Sequence, residues 1–245
     1  MATIDYLAAL GDDGTALAAA ARQGLDAPVP ACQEWTVADL VLHTGMVHRH
    51  KLAIVRGRLA GPPRPWPPPA PPRDELLGWY DQGLAELLDA LGSTDPATPL
   101  WTFHPSDQTA GFWRRRMAQE TVVHRVDAES AHGRPGPVPA DLAADGVDEA
   151  LEVFLAPYLE DRPVGGQGRS LRLEATDTGD RWQVRLLPTG IEVGPGQATA
   201  DATAAGRAAD LLLWLWGRGP ADPLERTGDP ALVPRVRELA AEATQ

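Results

Sequence analysis

The chain has 245 residues, 43% of them hydrophobic, and a net charge of −12 at neutral pH. This length accommodates one large or two small domains, and the acidic charge argues against nucleic acid and anionic membranes, which require a basic surface. Three features of the sequence predict a cytoplasmic protein. It has one cysteine, it has no apolar run near the roughly 20 residues that span a bilayer, and no basic region precedes an apolar run at the N-terminus.

The N-terminal half predicts four amphipathic helices. Thr3 is predicted to cap the first helix, and Thr36 is a suitable N-cap for the second, over roughly 37–57. The third helix is expected to start near Asp74, and the fourth to cover roughly 110–132. Four helices of this kind form a bundle.

A proline-rich segment separates the second and third helices. Residues 61–72 read GPPRPWPPPAPP, which is too rich in proline for helix or sheet and predicts an extended surface segment. It serves either as a spacer or as a docking site for a proline-binding partner.

The composition changes at HGRPGPVP, and we place a domain boundary there, with domains at 1–135 and 136–245. A helix is predicted from about Asp141 to Leu159. SLRLEAT and RWQVRLLP alternate apolar and polar residues as half-buried strands do, and IEVG adds a third short strand. The helices AAGRAADLLLWLWGR and about 231–241 complete a small α/β domain. The expected fold class of the whole chain is α+β.

Polar groups interrupt the apolar stripe of the fourth helix. Trp113, Met117, Glu120 and His124 follow one another at steps of three and four, the spacing of one helix face. A buried carboxylate and imidazole must be paired or bound to a metal, because burying them bare is costly. Their i, i+4 spacing places the Cβ atoms about 6 Å apart, so both side chains can bind one ion.

The second helix offers another imidazole in an apolar stripe. His43, Val47 and His50 share one face, but His50 lies roughly 10 Å beyond His43 along the axis and cannot share its ion. Two helices can therefore supply His43, Glu120 and His124. Two histidines, one carboxylate and an open position are typical of catalytic zinc and fit other divalent metals. The alternative is a buried polar cluster that binds no metal.

Several segments resemble one known family. WTVADLVLHTG, RRRMAQETVVHRVDAESAHG and LAADGVDEAL, with LRLEATDTGDRWQV and AADLLLWLWGR, resemble the mycothiol-dependent maleylpyruvate isomerase family over nearly the whole chain. The resemblance implies an N-terminal DinB-like four-helix bundle and a smaller C-terminal α/β domain. It also implies a divalent metal ion, usually zinc, bound by His43, Glu120 and His124, and the small thiol mycothiol as a second cofactor.

The charge of the predicted site favours an anionic fourth ligand. Two neutral imidazoles and one carboxylate leave a dication with one positive charge, and a coordinating thiol then loses its proton near neutral pH. In an isomerase the thiolate would add to the double bond of a cis-enedioate, and rotation and loss of the thiol would give the trans product. In a transferase the adduct would be released. The alternatives are a metal hydrolase that activates water and a non-catalytic binding protein of the same fold.

A dicarboxylate substrate requires a cationic partner, and arginine pairs with two carboxylate oxygens at once. The resemblance implies that an arginine of the C-terminal domain assists catalysis. Arg218, at the end of the LLLWLWGR segment, is the candidate catalytic residue and Arg207 is the alternative. Either can also be an ordinary cation at a helix end.

The remaining polar residues receive structural interpretations. Four histidines are expected at the surface or as caps: His48, His50, His104 and His132. Three consecutive arginines, 114–116, are interpreted as a solvated face, and Cys32 as a small buried hydrophobe. Asp127 either orients a metal ligand or pairs with a neighbouring arginine. Lys51 is the only lysine beside many arginines, and we attribute this to compositional bias of the sequence and not to chemistry.

Overall fold

The structure, a computed structural model, describes residues 4–218 and 224–244. The chain divides into two units, Met1–Gly136 and Pro137–Gln245. The described part of the first unit is helical, and that of the second combines helices with a β-sheet. The expected α+β class, a helical bundle followed by an α/β unit, is confirmed.

Four long helices build the first unit, in agreement with the sequence pattern: α1 (Tyr6–Ala21), α2 (Val37–Gly57), α3 (Leu76–Gly92) and α4 (Ala110–Ser130). A short 3₁₀ turn, Arg73–Glu75, leads into α3. Thr3, the predicted cap of α1, lies outside the described residues. Asp5 caps α1, and its side chain accepts hydrogen bonds from the N–H groups of Leu7 and Ala8.

The start of α2 is fixed by a capping box. The carboxylate of Asp39 accepts a hydrogen bond from the N–H of Thr36 at 2.9 Å, and the Thr36 hydroxyl accepts one from the N–H of Asp39 at 3.4 Å. These bonds satisfy N–H groups that the first helical turn leaves without partners. Arg58, in the left-handed conformation, ends the helix. The cap therefore fixes the start of the helix on which His43 lies, about two turns after Thr36.

Apolar side chains from all four helices fill the first unit. Helix α1 packs on α4 and α3, and α2 packs on α3 and α4. The large, fully buried side chains are Leu10, Leu17, Leu40, Ile54, Tyr80, Leu87, Leu91, Trp113 and Met117. Among the described residues, no helix is at once long enough and apolar enough to cross a membrane.

The proline-rich segment forms neither helix nor strand over residues 58–72, as its composition predicts. The ring of Trp66 meets the ring of His50 edge-on, with centroids 4.9 Å apart. The segment therefore packs against α2 at that point.

The second unit begins with one long helical run. Helix α5 (Ala140–Glu149) continues through a π-helical turn (Ala150–Leu155) into α6 (Ala156–Leu159). The strands that follow are β1 (Ser170–Ala175), β2 (Arg181–Leu186), β3 (Ile191–Pro195), β4 (Ala202–Gly206) and β5 (Glu225–Gly228). Their order in the sheet is β3-β2-β1-β4-β5, with β1 and β4 parallel and the other pairs antiparallel. Helices α7 (Ala208–Leu215) and α8 (Leu232–Ala243) complete the unit.

One predicted helix is shorter than expected. The segment AAGR, assigned to its start, belongs largely to strand β4, and α7 begins only at Ala208. The alanines and glycine of β4 carry no β propensity of their own. Backbone pairing with β1, from Leu171 opposite Ala202 to Ala175 opposite Gly206, decides the strand.

Candidate metal centre

Three side chains from two helices of the first unit converge. His43 comes from α2, and Glu120 and His124 come from α4. Oε1 of Glu120 lies 3.4 Å from Nε2 of His43 and 3.3 Å from Nε2 of His124. The ligand atoms of all three lie within 4.8 Å of one another. The structure thus brings the three predicted ligands together.

These separations suit a tetrahedral metal ion. Ligands at about 2.0–2.1 Å from zinc in tetrahedral geometry lie about 3.3–3.4 Å from each other. The second atom of each α4 ligand is held by another side chain: Nδ1 of His124 by Oδ2 of Asp127 at 3.0 Å, and Oε2 of Glu120 by Arg116. The atoms left for an ion are Nε2 of His124 and Oε1 of Glu120, which face Nε2 of His43. The donor set and its spacing therefore fit the metal that the resemblance implies.

Nearby charges govern the ionisation of the two α4 ligands. Burial opposes ionisation of Glu120, but the Arg116 guanidinium and hydrogen bonds from both histidines hold its pKa well below the usual value. Burial also lowers the pKa of His124, but hydrogen bonds to Asp127 and Glu120 outweigh it and raise that pKa to about 9. Glu120 is therefore an anion at neutral pH, as a metal ligand must be.

The candidate site is enclosed on the α4 side and more open on the α2 side. Side-chain exposure is 10% for His124 and 16% for Glu120, against 39% for His43. The ring of Trp35 lies beside His43, with centroids 5.0 Å apart. Of the three side chains, His43 is therefore the most accessible to solvent.

Arg116 is a site residue that sequence reasoning does not identify. The prediction that arginines 114–116 form a solvated face is wrong for this residue, whose side chain is 3% exposed and ion-paired with Glu120. The pair follows from their i, i+4 spacing on α4. That spacing is visible in the sequence, but a run of three arginines is typical of a surface, and this masks the signal.

His48 and Cys32 also differ from expectation. His48 is fully buried, not at the surface, and its Nε2 lies 2.9 Å from the hydroxyl of Thr121. Burial lowers the pKa of His48 to about 3, so the ring is neutral. Cys32 is only half-buried, and its Sγ lies 3.8 Å from Oδ2 of Asp127. A thiol therefore neighbours the carboxylate that contacts His124.

The two candidate arginines lie in the second unit. Arg218 follows α7 and donates a hydrogen bond to the carbonyl of Trp216. Burial lowers the pKa of Arg237, and the nearby charge of Arg218 lowers it further. Arg207 precedes α7, and its Nε lies 3.6 Å from Oδ2 of Asp177. Arg207 is thus mainly exposed, and Arg218 is half-buried.

Comparisons with known proteins identify the family. The model of the mycothiol maleylpyruvate isomerase N-terminal domain matches residues 7–129, and that of the MDMPI C-terminal domain matches residues 141–235. No curated protein matches the chain. A crystal structure of the mycothiol-dependent maleylpyruvate isomerase has a similar fold, with a TM-score of 0.64 and 16% identity over 92% of this chain and 93% of that one. A variant of that enzyme with one histidine replaced by alanine gives a TM-score of 0.63, with the same identity and coverage. The chain belongs to the mycothiol-dependent maleylpyruvate isomerase family.

Proposed function

We propose that the protein is a mycothiol-dependent metalloenzyme in which His43, Glu120 and His124 bind a divalent ion, with zinc expected. Its reaction is the cis–trans isomerisation of a maleylpyruvate-like acid or the transfer of the thiol to a small electrophile. The observation that carries the proposal is the approach of Glu120 Oε1 to both histidine Nε2 atoms, at 3.4 and 3.3 Å. Family membership supports the thiol and the substrate class.

The side chains around the three ligands have distinct roles in this proposal. Asp127 fixes the ring of His124 so that Nε2 faces the ion, and Arg116 holds one oxygen of Glu120 so that the other is free. A divalent ion bound there would favour the thiolate form of a coordinating thiol at neutral pH, which is the nucleophilic form. In this proposal the thiol and the acid enter from the side of His43, the most exposed of the three side chains.

Metal binding is the first test. The purified protein should contain about one ion per chain, and zinc should raise the Tm of protein stripped with a chelator. His43→Ala should abolish both effects. His50→Ala, on the same helix but beside Trp66, should preserve both. A protein that takes up no ion would point to a non-catalytic member of the family.

Thiol dependence is the second test. Mycothiol and maleylpyruvate supplied together should give the trans product, and mycothiol with a bimane electrophile should give a conjugate if the protein is a transferase. Turnover should fall to background without the thiol. Hydrolysis that proceeds without thiol would favour the metal hydrolase.

Arg218 remains our candidate for binding a substrate carboxylate. Arg218→Met should lower kcat/KM for the acid and leave the zinc content unchanged, whereas Arg207→Met, which removes an exposed cation near Asp177, should change neither. The opposite pattern would transfer the role to Arg207. Measuring both variants with the same acid decides between them.

The proposed partners are a small thiol and a small electrophilic or dicarboxylate acid, with neither nucleic acid nor membrane. The net charge of −12 is in keeping with this choice. A cytoplasmic location belongs to the same proposal, since a single cysteine suits a reducing compartment.

A further inference from the structure

Lys51 occupies an unusual position for the only lysine of the chain. It lies on α2, eight residues after His43, and its side chain is half-buried. Its Nζ lies 5.1 Å from the ring centroid of Trp113, a fully buried residue of α4. The ammonium therefore lies in the contact between the two helices that carry the candidate metal ligands.

In the part of the chain that the structure describes, no acidic side chain pairs with the Lys51 ammonium. Within the described residues, no carboxylate oxygen lies within 4.0 Å of Nζ, and no hydrogen bond satisfies it. Arg49, on the same helix, provides a contrast: it lies 4.4 Å from the ring of Trp79 and donates to the Trp79 carbonyl at 2.8 Å. Partial burial of a cation without a neighbouring anion costs free energy, so the position of Lys51 requires an explanation.

The surroundings of Lys51 connect it to the metal centre. Burial lowers its pKa to about 8, and the charge of Glu120 acts in the opposite direction. Trp113 lies seven residues before Glu120, so both are on one face of α4. Along α2, Lys51 lies about 12 Å from His43 at 1.5 Å per residue. A small extended molecule with one end at the metal ligands can thus bring its other end to Lys51.

We propose that Lys51 binds the distal carboxylate of a small dicarboxylic acid whose other end lies at the metal ligands. The inference rests on the proposed function and adds a specificity residue to it. An ammonium with a free donor supplies the charge-assisted hydrogen bond that a carboxylate accepts. The indole of Trp113 stabilises the cation when no acid is bound. An acid with only one carboxylate would leave Lys51 without its partner.

The test compares two acids that differ only at the distal end, heptanedioate and heptanoate. Calorimetry with the zinc-loaded protein should show that heptanedioate binds about tenfold more tightly, as expected for one charge-assisted hydrogen bond. Lys51→Met should remove this preference, and Lys51→Arg should restore most of it. Arg49→Met, which removes a cation stacked on Trp79 of the same unit, should retain the preference. Zinc content and Tm of each variant report on folding.

Each outcome has one meaning. If the wild-type protein binds zinc and shows no preference for heptanedioate, the role of Lys51 is refuted and the metal site stands. The role of Lys51 is equally refuted if Lys51→Met retains the preference. If the wild-type protein takes up no zinc, the proposed function fails and the role of Lys51 fails with it.

Discussion

The two nitrogens of the His124 ring have different partners, and this determines what the ring can do. Nδ1 faces Asp127 at 3.0 Å, and Nε2 faces Glu120. A carboxylate behind a histidine ligand fixes its orientation and raises its basicity. We expect Asp127→Asn to weaken zinc binding by about 10–100-fold, measured by competition with a chromophoric chelator. Asp12→Asn, an exposed carboxylate of α1, should have no effect.

The raised pKa of His124 predicts that the proposed zinc binding depends on pH. Although burial opposes it, bonds to Asp127 and Glu120 raise this pKa to about 9, so the metal-free protein holds a proton on the ring at pH 7. An ion at Nε2 must displace that proton. Binding should release about one proton at pH 7, and affinity should rise about tenfold per pH unit up to about pH 9, then level off. Calorimetry in buffers of different protonation enthalpy measures how many protons are released on zinc binding. An affinity independent of pH over this range would contradict the assignment.

At the residue scale, the sequence predicts the convergence of the three candidate ligands better than it predicts the residues around them. His43, Glu120 and His124 stand out because a polar residue in an apolar helical stripe is costly and requires a partner. Arg116 and Lys51 carry no such signal, since long cationic side chains are usual at helix surfaces. Only the packing of α2 on α4 shows that Arg116 is buried and Lys51 half-buried, so their proposed roles require the structure.

At the scale of elements, the close approach of α2 and α3 depends on Gly45. A Cβ at this position would lie 2.3 Å from Cζ3 of Trp79, so either the ring or the helix would have to move. We expect Gly45→Ala to lower the free energy of unfolding by about 1–3 kcal/mol, as overpacking does, measured by urea denaturation. Gly78→Ala, on the exposed face of α3 with nothing within 4 Å, should instead raise it by roughly 0.5–1 kcal/mol. A neutral Gly45→Ala would show that the Trp79 ring adapts.

The helices of the first unit are more predictable than the strands of the second. Capping residues and a 3.6-residue period are local signals, and α2 begins where its capping box indicates. Strands β4 and β5 lack local signals: β4 reads ATAAG, and β5 is exposed along its length. Their partners lie far away in sequence, with Ala202 paired to both Leu171 and Gly228. Long-range pairing of this kind cannot be recognised from a short window of sequence.

At the scale of the whole molecule, the candidate metal ligands and the residues that contact them belong to one unit. His43, Glu120, His124, Arg116 and Asp127 all lie within Met1–Gly136. We expect a fragment of residues 1–136 to fold and to bind about one zinc ion, with an affinity within about threefold of the full chain. Turnover should be lost if Arg218, which belongs to the second unit, takes part in the reaction. Circular dichroism measures the folding of the fragment, metal analysis its zinc content, and the isomerase assay its turnover. A fragment that folds without taking up zinc would show that the second unit is needed for the site.

The position of Lys51 gives the protein a built-in chemical reporter. Because every other basic side chain is an arginine or a histidine, an acylating reagent finds a single ε-amino group in the chain. That group lies over Trp113, and its lowered pKa leaves a substantial neutral, reactive fraction at mildly alkaline pH. The rate of acylation at this amine, followed as one mass increment on one peptide, would therefore report occupancy of the neighbouring space without any engineered label.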